Sequence, residues 1–233
     1  MNSLSFVVCV PLIGAGCAFA QWSTDPSLNT LASGIETGCA VTHAVATPSG
    51  ETWAAWYDSS SGYDLRAQRL DANGEPTFAS PILVADQSLS WVQDFDVACD
   101  SAGRLAIAWV SDDTVGASLI NLDGSIAWHR TIDGDGAFMA SAQITGTDDG
   151  NVILAWAEEN VSKLDRIAPD GKSLWAAPIE VAISGTLIVS DVKRGSDGSV
   201  IASFVHYTVF SGPKRLKAQR FDTTGSALWN APL

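Results

Sequence analysis

Hydrophobic and polar positions follow one another in short segments that are typical of β-strands. Nearly unbroken apolar runs, such as 105–109 and 152–156, predict strands that are covered on both faces. In 65–70 and in its near copy 216–221, polar and apolar residues alternate, which predicts strands with one face toward solvent. Turns rich in Asp, Ser and Gly separate these segments. No segment after residue 20 carries a sustained helical apolar stripe, so the pattern predicts an all-β protein.

Two pairs of a glycine and an aromatic residue recur along the chain, each four times and always at the same internal spacing. Successive copies of a pair are 47 to 54 residues apart, which chance does not explain. We interpret the aromatic residues as contacts between neighbouring sheets. In the first pair the ring comes six residues after the glycine: Gly50 and Trp56, Gly103 and Trp109, Gly150 and Trp156, Gly198 and Phe204. In the second it comes four residues after: Gly74 and Phe78, Gly124 and Trp128, Gly171 and Trp175, Gly225 and Trp229.

Each repeat has the segments for four short strands, and four-stranded units of about 40 to 50 residues are the sequence signature of a β-propeller. We therefore predict antiparallel blades arranged around an axis. A linear solenoid or a pair of sandwiches is the alternative. The four predicted repeats are about 39–86, 87–137, 138–185 and 186–233.

The segment 21–38 begins with Trp22 in a context that matches the fourth strand of the repeats. We predict that it is an N-terminal arm, or the outer strand of a blade that this chain does not complete. In the second case the four blades belong to a larger ring of about five to seven blades, and apolar sheet faces are exposed at both ends. The alternative is a four-bladed ring on which the arm packs.

Residues 1–20 contain no charged side chain and end in Ala18-Phe19-Ala20, which predicts a signal peptide with cleavage before Gln21. An uncleaved anchor and a lipoprotein cleavage box are the alternatives. We predict a secreted or periplasmic protein. Its mature chain retains Cys39 and Cys99 as thiols and has no other apolar run near the roughly 20 residues of a spanning helix.

Composition narrows the classes of partner. The 233 residues carry 26 acidic and 13 basic side chains, a formal charge of −13, and are 46% hydrophobic and 17% charged. Such a chain has enough apolar area to fold, and its acidity argues against nucleic acid as a partner. We expect an unknown extracellular protein or carbohydrate as the partner. Further C-terminal blades, or self-association through open ends, are the other possibilities.

Two stretches carry a resemblance. With 56–58 of the form W-x-D, 67–71 reading A-Q-R-L-D, and the G-x-x-x-W pairs, the chain resembles secreted bacterial propeller-repeat proteins, which implies architecture rather than chemistry. Segment 225–229 is also similar to the tryptophan-docking repeat of quinoprotein dehydrogenases. That resemblance implies a quinone-dependent oxidoreductase, but Asp222 precedes Gly225 by three residues instead of four, and the chain has no Cys-Cys pair.

One polar position recurs in all four repeats, seven residues before the first glycine. In a propeller the first strand of each blade is innermost, so these side chains are predicted to line the central channel as a ring. The ring is a candidate site for a cation or a small polar ligand; alternatively it hydrates the channel or caps backbone groups. Its members are His43, Asp96, Gln143 and Asp191.

Motifs with catalytic chemistry are weak in this sequence. The acidic pairs 112–113 and 158–159 follow second strands, and 133–136 resembles the opening of a calcium loop. We interpret all three as solvated loops or turns, and we predict no catalytic residue, metal ligand or cofactor. We therefore favour a binding or scaffolding module over an enzyme. The alternatives are an extracellular polysaccharide hydrolase or lyase and a fragment of a quinone-dependent oxidoreductase.

Overall fold

The computed structural model describes residues 38–87 and 94–233, together with Ala32. The predicted signal peptide and, apart from Ala32 and Gly38, the predicted arm lie outside these residues. Fifteen strands and a single 3-10 turn at Ser59–Ser61 make up the regular structure of the described part. No helix within these residues has the length and apolar character that crossing a membrane requires.

The strands form four antiparallel sheets, or blades, each made by consecutive strands of the chain. Blade 1 holds β1 (Cys39–Ala46), β2 (Thr52–Asp58), β3 (Asp64–Leu70) and β4 (Ile82–Ala85). Blade 2 holds β5 (Phe95–Cys99), β6 (Leu105–Ser111), β7 (Thr114–Ile120) and β8 (Ile126–Asp133). Blade 3 holds β9 (Met139–Gly146), β10 (Val152–Glu158), β11 (Val161–Ile167) and β12 (Ile179–Val181). Blade 4 holds β13 (Thr186–Arg194), β14 (Val200–Tyr207) and β15 (Arg215–Phe221).

Blade 4 differs from the predicted four-stranded unit because its sheet has three strands. The start of a fourth is visible at the end of the chain. There the amides and carbonyls of Ala218 and Leu233 exchange two backbone hydrogen bonds, of 2.9 and 3.2 Å. A bridge between Phe221 and Ala227 closes the preceding turn.

The first strands of the blades lie side by side around one axis. β1 packs against β5, β5 against β9, and β9 against β13. Their last residues line one cavity together, so all four strands face a common central space. The chain is an all-β propeller of four blades, as its repeat predicted.

Glycine is needed in the turns that connect the strands. All eight repeat glycines have φ between 78° and 89°, in the left-handed region that a Cβ disfavours. In the turn at Gly103, the glycine N–H donates to the carbonyl of Asp100 at 3.1 Å. The Asp100 carboxylate accepts the N–H groups of Ala102 and Arg104, both at 2.9 Å. In the turns that begin with Asp71, Asp100 and Asp222, aspartate at the start and glycine at the end therefore hold the turn closed.

Side chains of the second strand of a blade point alternately to the preceding and the following blade. In β6, Leu105, Ile107 and Trp109 belong to the core between blades 1 and 2, whereas Ala106 and Ala108 belong to the core between blades 2 and 3. This strand is buried on both faces, which explains why its sequence is an unbroken apolar run.

The two sets of repeated rings make different contacts. Rings of the first set, Trp56, Trp109, Trp156 and Phe204, are each at most 4% exposed. Rings of the second set pack against the glycine turn of the next blade: Phe78 at Gly124, Trp128 at Gly171, and Trp175 at Gly225. The indole of Trp175 also donates to the carbonyl of Thr223, across the same boundary, at 3.2 Å. The second set therefore connects each blade to its successor.

Candidate functional site

Two of the four predicted channel residues lie next to each other. His43 on β1 and Asp96 on β5 approach to 3.9 Å between Nδ1 and Oδ1. Asp191 on β13 instead forms an ion pair of 2.7 Å with Lys193 of its own strand. Gln143 on β9 donates from its amide to the carbonyl of Ala142 at 3.2 Å. All four predicted residues are half-buried on innermost strands.

Asp96 joins blade 2 to blade 3. Its Oδ2 accepts the N–H of Ile144 on β9 at 2.9 Å, and its Oδ1 accepts the N–H of Val97 at 2.8 Å. Burial raises the pKa of this carboxyl, against the lowering effect of those hydrogen bonds and of the nearby Lys193 and His43. The Asp96 carboxylate is partly shielded from water, and its hydrogen bonds hold it in place. It is therefore a fixed polar group in the channel wall.

Asp94, two residues earlier, has a similar environment that the sequence analysis missed. Its Oδ2 accepts the N–H of Ser141 on β9 at 2.9 Å, and its carbonyl lies 3.5 Å from the hydroxyl of Tyr57. Burial raises the pKa of Asp94, partly offset by the hydrogen bond from Ser141 and by the nearby His43. Burial and the charge of Asp94 also raise the pKa of Tyr57. Asp94, His43 and Tyr57 form a second polar cluster.

Local backbone geometry supplies the donor for Asp94. Ser141 has φ of 52°, and the pairing of β9 with β10 shifts register beside it, between Ala155 and Ala157. Such a bulge takes a residue out of the ladder, and the Ser141 N–H donates to Asp94. Alternate residues of a strand lie on the same face, so residues 94 and 96 are expected side by side. This spacing is the sequence signal that could have identified Asp94.

A cavity of about 440 Å³ opens where the four innermost strands end. Its lining includes Val45, Val97, Ile144, Thr145 and Lys193, one or two from each of β1, β5, β9 and β13. The whole lining is about equally polar and apolar. Its polar part comes from two threonines and three charged residues, Thr47, Thr145, Asp100, Lys193 and Arg194. The cavity therefore has a mixed lining of apolar and polar groups.

The cavity also contains Cys99. Burial, with the adjacent charge of Asp100, raises the pKa of this thiol to about 12, so the side chain is protonated at neutral pH. Cys39 and Cys99 both remain thiols. In this state Cys99 contributes a small, weakly polar surface to the cavity wall.

The acidic pair 158–159 has structural partners. Glu158 forms an ion pair of 2.7 Å with Lys163, and Glu159 accepts the N–H of Phe138 at 2.8 Å. In the segment that resembles a calcium loop, Asp133 caps its own turn by accepting the N–H of Asp135 at 2.9 Å. Across residues 38–87 and 94–233, no group of three or more His, Cys, Asp or Glu side chains is placed to hold a metal ion.

Comparisons with known proteins address the fold. The chain matches no family model, and no curated protein matches it. Among solved structures it is similar to an α-L-arabinanase from Penicillium chrysogenum complexed with arabinobiose, with 11% identity, a TM-score of 0.57, and coverage of 81% of this chain and 65% of the arabinanase. It is also similar to an ulvan lyase of polysaccharide lyase family PL25, with 12% identity, a TM-score of 0.52, and coverage of 87% and 58%. The chain therefore spans less than two thirds of each of these proteins, and at such identity the likeness establishes the propeller fold alone.

Proposed function

We propose that this chain is a propeller-fold binding module that holds a saccharide in the cavity at the end of its channel. The observation that carries the proposal is the cavity itself, about 440 Å³ and built from the ends of all four innermost strands. That volume lies in the range of small-molecule sites, which combine apolar walls with a few fixed polar groups. Saccharides match such a lining because they carry apolar C–H faces and hydroxyl groups.

Two further observations support the choice of ligand. The arabinanase was solved with arabinobiose, and the ulvan lyase is a polysaccharide lyase, so propellers of this shape accommodate sugar chains. The sequence also predicts export by a signal peptide, and we propose that the module works outside the cytoplasm, where such polymers occur.

Isothermal titration calorimetry tests the proposal with arabino-oligosaccharides and ulvan oligosaccharides as probes. Ala46 is an exposed residue of the cavity lining, so Ala46→Trp fills the space without disturbing a core. We expect this substitution to weaken binding about tenfold or more, equivalent to about 1.4 kcal/mol. Ala79→Trp, an exposed position outside the cavity lining, is the matched control. Failure of the wild-type protein to bind either probe, or equal binding by Ala46→Trp, would refute a saccharide site in the cavity.

A second candidate function is cleavage of a polysaccharide, favoured by the cluster of Asp94, His43 and Tyr57. Partial burial that raises the pKa of a carboxyl is a property of general acids, and the half-buried Asp94 has it. If the cluster is catalytic, incubation with arabinan or ulvan releases reducing ends, and Asp94→Asn abolishes the release. Asp170→Asn, at a fully exposed carboxyl, serves as control. Activity that survives Asp94→Asn rules out this assignment.

A further inference from the structure

The hairpin between the second and third strands of blade 4 differs from its counterparts in the other blades. Seven residues, 208–214, connect β14 to β15, whereas the same connection takes two residues in each of blades 2 and 3 and five in blade 1. We define the basic hairpin as residues 207–215, which include Lys214 and Arg215 and no acidic side chain. Neither of these cations forms an ion pair with a described residue. Blade 3 carries two glutamates, 158–159, at the corresponding place.

Apolar side chains form the tip of the basic hairpin. Val209 is 60% and Phe210 81% exposed. A tight turn shapes the tip, since the N–H of Gly212 donates to the carbonyl of Val209 at 2.9 Å. The rings of Tyr207 and Phe210 meet edge to face at 6.1 Å, and the Lys214 ammonium lies 5.6 Å from the centre of the Phe210 ring. The hairpin therefore presents an exposed apolar surface and a cation side by side, which is typical of interaction surfaces.

A surface of opposite charge lies on blades 2 and 3. We define the acidic rim by Asp113, Asp135, Phe138 and Glu159, all of which are exposed. Hydrogen bonds join its loops, because the N–H of Gly134 donates to the carbonyl of Asp113 at 3.0 Å and the N–H of Phe138 to the Glu159 carboxylate at 2.8 Å. The Phe138 residue is 65% exposed. The rim therefore combines an aromatic ring with carboxylates, as the hairpin combines one with cations.

The basic hairpin and the acidic rim are neighbours at one end of the molecule. Thr186, the first residue of β13, pairs with Tyr207 at the root of the hairpin. The Thr186 hydroxyl also donates to the side-chain oxygen of Asn160, the residue after Glu159, at 2.7 Å. Both surfaces thus lie at the end where the innermost strands begin, whereas the cavity lies where these strands finish.

We propose that two copies of this chain associate face to face through this end, with the basic hairpin of each copy against the acidic rim of the other. A two-fold axis between blades 3 and 4 makes both contacts at once, because it exchanges the two neighbouring surfaces. Each contact places Val209 and Phe210 near Phe138 and places cations near carboxylates. The interface is isologous, so it closes as a dimer.

A second copy suits the hairpin better than an anionic lipid surface does. The acidic rim lies beside the hairpin at the same end, so a bilayer that met the hairpin would also face carboxylates of its own sign. In the dimer the same carboxylates face cations. This inference goes beyond the saccharide site and does not depend on it.

Sedimentation velocity over a range of protein concentrations tests the proposal. We expect the wild-type protein to form dimers, with a dissociation constant that rises as salt screens the charges. Phe210→Glu puts an acid opposite the acidic rim, and Phe138→Lys puts a base opposite the basic hairpin. Each substitution should raise the dissociation constant about tenfold or more, equivalent to about 1.4 kcal/mol. Leu174→Glu and Leu122→Lys, at exposed leucines in turns of the opposite end, are the matched controls and should associate like the wild type.

An equimolar mixture of the two variants tests whether the hairpin meets the rim. In the mixed dimer one contact is that of the wild type, and the other opposes the new carboxylate to the new ammonium group. The mixture should therefore associate more strongly than either variant alone, and circular dichroism establishes that both variants are folded. A wild-type protein that stays monomeric, assembly beyond the dimer, or a mixture no stronger than its components overturns the proposal. Binding of monomeric wild-type protein to phosphatidylglycerol vesicles, abolished by Phe210→Glu, would assign the hairpin to a lipid surface and overturn it as well.

Discussion

Removal and addition of bulk at one contact test whether the repeated rings hold the blades together. Trp109 is 4% exposed in the core between blades 1 and 2, and a Cβ on Gly116, its cross-strand neighbour, would overlap the indole ring. Trp109→Ala should lower the free energy of unfolding by about 3 to 5 kcal/mol. Gly116→Ala should lower it by about 1 to 3 kcal/mol, because the added methyl group overfills the contact.

The two substitutions should not be additive. Once Trp109→Ala has emptied the space, the methyl group of Gly116→Ala finds room, and its cost should fall close to zero. The coupling energy then equals the cost of overfilling, about 1 to 3 kcal/mol. Thermal unfolding followed by circular dichroism suffices, since about 1 kcal/mol shifts the melting temperature of a protein of this size by about 2 to 4 °C.

Trp156→Ala provides the control for this cycle, because Trp156 lies in the core between blades 2 and 3. Gly116→Ala should cost as much in that background as in the wild type. If Gly116→Ala is equally costly with and without Trp109, the ring does not rest on Gly116. A loss below about 1 kcal/mol for Trp109→Ala would show that the ring carries little of the packing between blades.

Three further predictions concern charged and reactive groups. Burial raises the pKa of Asp94, so ionisation of this carboxyl at neutral pH opposes folding. Asp94→Asn should therefore raise the melting temperature at neutral pH. The gain in melting temperature should shrink as the pH falls toward about 4, the ordinary pKa of a carboxyl group. With its pKa raised to about 12, Cys99 should react with iodoacetamide more slowly than the exposed Cys39, as measured by peptide mass spectrometry; equal labelling would contradict the burial. Arg130 pairs at 3.0 Å with the buried Asp165 of the next blade, so Arg130→Met should cost about 2 kcal/mol in urea unfolding, and most of the loss should disappear when Asp165→Asn is also present.

The fold was predictable because the same physical demands recur in every blade. A positive φ in each turn selects glycine, and burial on two faces selects apolar runs such as the one in β6. Both requirements select residue types that recur at fixed spacing, and this recurrence can be recognised in a single sequence. The fourth strands of blades 1 and 3 begin directly after a proline, at Ile82 and Ile179. In blade 4 only Leu233 follows the equivalent proline, so its sheet of three strands also agrees with the sequence.

The candidate site was only partly predictable. Sequence spacing selects His43 and Asp96 as channel residues but does not reveal that Asp191 pairs with Lys193 on its own strand. The surroundings of Asp94 depend on the bulge at Ser141. No residue type near Ser141 indicates this bulge in the sequence. The cavity is formed by four strand ends that are far apart in the sequence, so only the three-dimensional arrangement defines it.

The extensive packing between sheets runs between blades that are consecutive in the chain, and this has a consequence for how the molecule opens. In such a row, the stability of each unit depends on its own sheet and on its immediate neighbours. Blades 2 and 3 are supported on both sides, whereas blade 4 has a partner on one side within the described chain. Amide hydrogen exchange should therefore be slowest in the middle of the row, with blade 4 opening in sub-global steps that leave the others folded.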